Sequence, residues 1–265
     1  MLDHPARTDR TLIVRMRRAV SLLIAALPLL CAAPALAADL QVAVAANFTE
    51  PAKAIAAAFT ARTGAHLALS FGSSGQFYTQ IAQGAPFEVL LSADADRPVR
   101  IEREGLGVAG TRFTYAVGQL VLWSRTPGLV DGQGAVLAKG DFHALAIADP
   151  ALAPYGAAAM QTLNKLGLLG RVEARIVKGS SITQAYQFTQ TGAAELGFVA
   201  LSQVINEPGG SRWIVPATDY APIEQQAILL KPGADDPAAK AFLAFLKGPE
   251  GLAVIRRYGY QAPLN

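Results

Sequence analysis

The stretch FGSSGQ, residues 71–76, decides the fold that this sequence predicts. It lies between residues 65–70, a run typical of a β-strand, and residues 77–83, a run typical of a helix. The first turn of a helix leaves its backbone amides unpaired and carries a partial positive charge. Serines at such a junction either cap the helix or join its free amides in binding an anion. A single junction favours capping, so repetition of the pattern decides between the two.

Three further junctions repeat this design after strand-like runs. They contain the runs Ala46-Asn47, Pro154-Tyr155-Gly156 and Ser180-Ser181-Ile182. In open α/β sheets, ligands bind beyond the carboxyl ends of the strands. None of the four junctions contains Lys or Arg. The pattern therefore predicts an oxyanion site built from neutral hydrogen-bond donors.

The alternation of strand-like and helical runs predicts an α/β fold with largely parallel sheets flanked by helices. Two junctions fall in each half of the chain, which predicts two lobes with a ligand cleft between them. We expect lobe I to comprise residues 38–118 and 219–265, and lobe II residues 119–218. The segments near Val117-Gly118 and Asp219-Tyr220 are the expected hinges.

Residues 1–37 have the pattern of a secretory signal peptide. Three arginines precede the apolar run 19–30, and Ala35-Leu36-Ala37 has the small residues of a cleavage site. We therefore expect removal of residues 1–37 and a periplasmic location. Cys31, the only cysteine, leaves with this segment, and a lipoprotein signal is disfavoured because the bulky Leu30 precedes it.

The charge balance disfavours nucleic acid and anionic membrane as partners. The chain has 23 basic and 20 acidic residues, but five arginines and two aspartates lie within residues 1–37. The remainder carries 18 of each sign, so the mature chain is formally neutral. A neutral chain lacks the basic surface that attracts polyanions.

The sequence also disfavours an enzyme. His66 and His143 stand alone, with no cysteine or carboxylate pair at metal-ligand spacing. Asp94, Asp96 and Asp149 lie at turns or helix starts, where aspartate commonly caps. Catalysis would need a positioned base or metal, and a sensor would need a signalling segment beyond these 265 residues. The classes that stay open here are a transport binding protein, an exported enzyme and a sensor domain.

Five parts of the chain carry a family resemblance. They are VAVAANFT at 42–49, FGSSGQ at 71–76, GAPFEVLLSAD at 84–94, DPALAPYG at 149–156, and GPE at 248–250 with RYGY at 257–260. Together they resemble the periplasmic molybdate-binding proteins of bacterial ABC importers. The resemblance implies the type II periplasmic-binding fold, closing on molybdate or tungstate and delivering it to a membrane permease. It also implies a monomer with no catalysis and no cofactor, in which metal enters only as the oxyanion.

The resemblance carries ligand roles onto four positions. They are Asn47, Ser74, Tyr155 and the backbone amide of Ile182, with Ala46, Ser73 and Ser181 as further candidates. Relatives with alanine at the position of Tyr155 supply a tyrosine hydroxyl from the strand that here reads GFVA at 197–200, and Ala200 has no hydroxyl. We expect Tyr155 to replace that donor.

The identity of the anion rests on the resemblance alone. The distance at which the lobes stop on closure sets the oxyanion radius, and residue types do not reveal it. A binding protein for another tetrahedral dianion, sulfate or thiosulfate, is the alternative, ahead of an exported enzyme.

Overall fold

The computed structural model describes residue 1 and residues 39–261, and within them ten strands form two five-stranded sheets. The predicted signal peptide and Cys31 lie outside the described residues. The strands are β1 (Leu40–Ala45), β2 (Leu67–Gly72), β3 (Val89–Leu91), β4 (Phe113–Gly118), β5 (Leu120–Ser124), β6 (Leu145–Ala148), β7 (Ile176–Gly179), β8 (Leu196–Ala200), β9 (Ser211–Ile214) and β10 (Ile223–Leu229).

Helices fill most connections between the strands. The α-helices of the described residues are α1 (Thr49–Thr63), α2 (Ser74–Ala82), α3 (Asp96–Arg103), α4 (Val136–Lys139), α5 (Pro154–Lys165), α6 (Leu169–Val172), α7 (Ile182–Thr191), α8 (Leu201–Val204), α9 (Pro237–Lys247) and α10 (Pro249–Arg257). Proline opens α5, α9 and α10, where its missing N–H costs no hydrogen bond. Gly192 ends α7 in the left-handed conformation, at φ 81°.

Both sheets mix parallel and antiparallel pairs. Their orders are β2-β1-β3-β10-β4 and β7-β6-β8-β5-β9. β1 is parallel to β2 and β3, and β6 is parallel to β7 and β8. β10 and β5 are antiparallel to both of their neighbours. The predicted α/β fold with two lobes is confirmed, and below we call the first sheet with its helices lobe I and the second lobe II.

Each lobe has its own core. In lobe I, Phe59 packs edge to face against Phe242, with ring centroids 5.5 Å apart. In lobe II, Leu122, Ile147 and Phe198 are completely buried. Burying such a side chain contributes about 1.5–3 kcal/mol, so each sheet has its own source of stability. Within residues 39–261, no helix is both long and apolar enough to cross a membrane.

The chain passes between the lobes twice. Gln119 alone separates β4 from β5, and residues 215–222 connect β9 to β10. The Leu120 N–H donates to the Tyr220 hydroxyl at 3.1 Å, which joins the two passages. The carboxyl ends of β1, β2, β6 and β7 lead into turns or helices that face the cleft between the lobes.

Candidate functional site

A small cavity lies in this cleft. The volume within which the centre of a water molecule fits is about 10 Å³. The cavity brings together all four principal predicted residues, with Ala46 and Ser73 but not Ser181. Its lining consists of Ala45, Ala46, Asn47, Gly72, Ser73, Ser74, Ala93, Ala153, Pro154, Tyr155 and Ile182. No side chain in this lining carries a charge, and the described part of the chain has no cluster of three metal-ligating side chains.

The two serines at the start of α2 divide the two roles that the sequence left open. Ser73 is the cap: its Oγ accepts from the Gln76 N–H at 3.3 Å, and its own N–H donates to Gln76 Oε1 at 3.2 Å. Ser74 is buried and its Oγ accepts from the Ala93 N–H at 2.9 Å. Because an N–H already approaches that oxygen, the Ser74 hydroxyl keeps its hydrogen for a ligand.

Asn47 follows β1 in a short 3₁₀ turn, Ala46–Phe48. Its carboxamide donates one hydrogen to Gln225 Oε1 and the other to the Tyr260 hydroxyl, both at 2.9 Å. Both side-chain hydrogens are therefore used inside the protein. The Asn47 backbone N–H has no partner among the described residues. In this arrangement the backbone N–H is, among the described contacts, the one unpaired hydrogen-bond donor of Asn47.

Tyr155 opens α5 just after Pro154, and its ring is buried. Its hydroxyl reaches lobe I, where it accepts from Gln225 Nε2 at 3.2 Å. A side chain at Gly118 would overlap this hydroxyl and would lie 2.7 Å from Gln225 Nε2. The glycine therefore makes the space that the Tyr155 hydroxyl occupies.

Ile182 begins α7, and Ser181 caps that helix by accepting from the Gln184 N–H at 3.3 Å. Ser181 therefore serves as the cap of this helix, and it is not among the residues that line the cavity. Within the described contacts, the backbone N–H groups of Ser74, Tyr155 and Ile182 have no partner. Such unpaired first-turn amides are the donors expected at an anion site.

Burial keeps the tyrosine hydroxyls protonated. It raises the pKa of Tyr155 and of Tyr115 well above the ordinary value. Burial also raises the pKa of Tyr260 to about 12, although hydrogen bonds with Ser202 and Asn47 partly offset it. All three hydroxyls are therefore neutral at physiological pH, and Tyr155 can act as a donor.

Sequence reasoning missed the buried residues behind the cavity. Gln225 and Tyr260 hold the Asn47 carboxamide, and the Ser202 Oγ donates to the Asn47 carbonyl at 2.8 Å. These residues lie more than 150 positions from Asn47 along the chain, and no local motif marks them. Ala200 lies outside the lining, and its N–H donates to Gln203 Oε1 at 3.0 Å.

Direct hydrogen bonds hold the two lobes together over the cavity. The Gly75 N–H donates to the Leu152 carbonyl at 3.0 Å, and Arg97 Nη2 donates to the Ala151 carbonyl at 3.0 Å. Thr183 Oγ1 donates to the Ala46 carbonyl at 3.3 Å. The cleft is therefore closed in this structure.

Two α/β lobes closed over a pocket of uncharged donors define the class as a two-lobed solute-binding protein. The family described as "Bacterial extracellular solute-binding protein" matches residues 40–261. The molybdate-binding protein ModA of Rhodobacter capsulatus is 60% identical over 229 residues, which are 86% of this chain and 90% of that protein. The chain therefore belongs to the bacterial extracellular solute-binding proteins and, within them, to the molybdate-binding ModA proteins.

Solved structures agree with this assignment. The periplasmic molybdate-binding protein of Azotobacter vinelandii superposes with a TM-score of 0.83 at 45% identity, covering 85% of this chain and all of that one. The sulfate-binding protein SubI of Mycobacterium tuberculosis superposes with a TM-score of 0.73 at 13% identity, covering 84% and 86%. The second likeness shows a shared fold alone. These relatives are named as binding proteins, so the chain is a binding protein and not an enzyme.

Proposed function

We propose that this protein binds molybdate, and also tungstate, in the interlobe cavity and delivers it to the membrane permease of an ABC importer. The observation that carries the proposal is the convergence of neutral donors from both lobes on one interlobe cavity. The Rhodobacter and Azotobacter relatives, named as molybdate-binding proteins, support the choice of anion. Molybdate is the transported ligand, and no cofactor is involved.

The proposed donors are of two kinds. Backbone N–H groups come from Asn47, Ser74, Tyr155 and Ile182, and hydroxyls come from Ser74 and Tyr155. Ala46 and Ser73 shape the wall, whereas Ser181 acts through the helix that it caps. A shell made only of donors suits a fully deprotonated tetrahedral dianion. Phosphate at neutral pH carries a proton that needs an acceptor, and this shell leaves that proton unpaired.

Transport requires the lobes to open. Hydrogen bonds join the lobes beside the cavity, so we propose that residues 38–118 with 219–265 rotate against residues 119–218 to admit the anion. The hinges are the two passages near Gly118 and Tyr220, which the Leu120–Tyr220 hydrogen bond joins. We also propose that the protein acts as a monomer, in the periplasm after removal of residues 1–37. The extracellular solute-binding family supports the location.

Titration calorimetry with four anions tests the proposal. We expect tight binding of molybdate and tungstate, weaker binding of sulfate and the weakest binding of phosphate. Sulfate binding tighter than molybdate would replace the proposed ligand with the sulfate alternative. No heat with any of the four anions would refute an oxyanion-binding role.

A further inference from the structure

Gln225 lies behind the cavity and contacts two of the proposed ligand residues at once. It is completely buried on β10, at the point where the pairing of β10 with β4 shifts register. Its Oε1 accepts from Asn47 at 2.9 Å and from the Tyr115 hydroxyl at 3.0 Å. Its Nε2 donates to the Tyr155 hydroxyl at 3.2 Å. One carboxamide of lobe I therefore fixes a lobe I residue and a lobe II hydroxyl together.

The direction of the last hydrogen bond matters. Because Gln225 donates to Tyr155, the Tyr155 oxygen is an acceptor toward the protein and its hydrogen remains available. The Tyr260 hydroxyl is its neighbour inside the protein, and that oxygen already accepts from Asn47 Nδ2 at 2.9 Å. Ser74 is held in the same way by the Ala93 N–H. Both cavity hydroxyls thus accept one hydrogen bond from the protein, which favours donation of their own hydrogen to a ligand.

The same hydrogen bonds can also form with the Gln225 and Asn47 carboxamides reversed. This second arrangement excludes the first. If the carboxamides of Gln225 and Asn47 were both reversed, Gln225 would donate to Asn47 and accept from Tyr155. Asn47 would then have side-chain hydrogens for the anion, and the Tyr155 hydrogen would be used inside the protein. The two residues cannot both direct side-chain hydrogens at the anion while Gln225 links them. The orientation of Gln225 decides which of them does.

Resting on the proposed oxyanion function, we propose that Gln225 is a positioning residue that sets anion specificity by holding the Tyr155 hydroxyl as a donor. Gly118 supports this role, because its missing side chain leaves room for the Tyr155 hydroxyl and Gln225 Nε2. Without the Gln225 N–H, the Tyr155 hydroxyl can turn and accept a proton. The site then loses part of its discrimination against protonated anions such as hydrogen phosphate.

The test compares affinities for molybdate and inorganic phosphate at pH 8, where both anions are mainly dianions. Gln225→Met removes the donor at similar volume. Gln225→Glu keeps the shape of the side chain and accepts hydrogen bonds from Asn47, Tyr115 and Tyr155. It therefore turns the Tyr155 hydrogen away from the cavity. This variant also provides the test if Gln225→Met folds poorly. In both variants the ratio of molybdate to phosphate affinity should fall roughly 2- to 13-fold, the effect of one hydrogen bond. Charge repulsion from Glu acts equally on two dianions and cancels in the ratio.

Gln226→Met is the matched control. Gln226 is the next residue of β10, is also buried, and hydrogen-bonds Arg112 and Thr114 rather than the site. The Gln226→Met substitution should leave the ratio of molybdate to phosphate affinity unchanged, whatever its effect on the melting temperature. Adding Gln225→Met to Tyr155→Phe should leave the ratio of the Tyr155→Phe protein unchanged, because Gln225 acts through that hydroxyl.

The outcomes separate the inference from the proposed function. If the wild-type protein binds molybdate and both Gln225 variants keep its ratio of molybdate to phosphate affinity, only the role of Gln225 is overturned. Molybdate binding unaffected by Tyr155→Phe would show that the Tyr155 hydroxyl is not a donor to the anion, and would overturn the inference as well. A wild-type protein that binds none of the anions would overturn both.

Discussion

Gly75→Ala tests whether closure of the lobes controls affinity. Gly75 lies in the first turn of α2, and a Cβ there would be 3.0 Å from the Leu152 Cα and carbonyl oxygen across the cleft and 3.0 Å from Arg97 Nη2. Ordinary contacts begin at 3.4 Å, so the closed lobes would have to separate by about 0.4 Å at this point. Crowding of this kind costs about 1–3 kcal/mol. The closed, liganded form should be destabilised by that amount.

The same substitution should stabilise the unliganded protein. In the open form the Cβ meets no opposite lobe, and alanine is favoured over glycine within a helix by roughly 0.5–1 kcal/mol. The molybdate affinity should therefore fall about 5- to 150-fold while the melting temperature of the ligand-free protein stays level or rises. A lower molybdate affinity together with an unchanged or higher melting temperature of the ligand-free protein indicates an effect on closure alone.

Calorimetric titration and thermal melting of the same samples provide the measurement. Gly170→Ala is the control, because a Cβ at this helical position would meet nothing within 4 Å. It should leave the affinity unchanged. Unaltered molybdate affinity in Gly75→Ala, or a lower melting temperature without ligand, would refute the reasoning.

Three further predictions concern the donors and the buried hydroxyls. Ser74→Ala should lower molybdate affinity about 10- to 100-fold by calorimetry, and should also lower the melting temperature because the Ala93 N–H loses its acceptor. Affinity should change little between low and physiological salt, because no charged side chain lines the cavity; a tenfold weakening would contradict this. Burial raises the pKa of Tyr260 to about 12, above the value of about 10 in an unfolded chain. The folded form therefore keeps a proton that the unfolded form releases, so urea stability should hold below pH 10 and fall as the pH rises toward 12.

The sequence predicted the parts of the site that have local signals. A strand followed by a small or polar turn and a helix start is visible within about ten residues, and all four such junctions reach the cavity or the helix beside it. The sequence could not divide the roles of Ser73 and Ser74, since both are serines and only the capping geometry separates them. It also could not reveal that β10 is antiparallel to its neighbours, because strand direction leaves no trace in an apolar run.

The network behind the cavity was beyond sequence reasoning for a different reason. Gln225 and Tyr260 contact Asn47 from 178 and 213 positions away. A buried glutamine in a strand has no pattern that distinguishes a structural side chain from one that orients a ligand residue. Asn47 itself illustrates the limit, because its polar side chain suggests a donor for the anion but its hydrogens are used within the protein.

The overlap between a side chain at Gly118 and the Tyr155 hydroxyl has a consequence for how related sequences vary. A tyrosine at position 155 can extend its hydroxyl to the hinge only if position 118 is glycine. Relatives with a larger residue at 118 must obtain that hydroxyl elsewhere, and the end of β8, where this chain has Ala200, is one place that faces the same lobe boundary. Positions 118, 155 and 200 should therefore change together during evolution, and tyrosine at 155 without glycine at 118 should be rare in an alignment of the family.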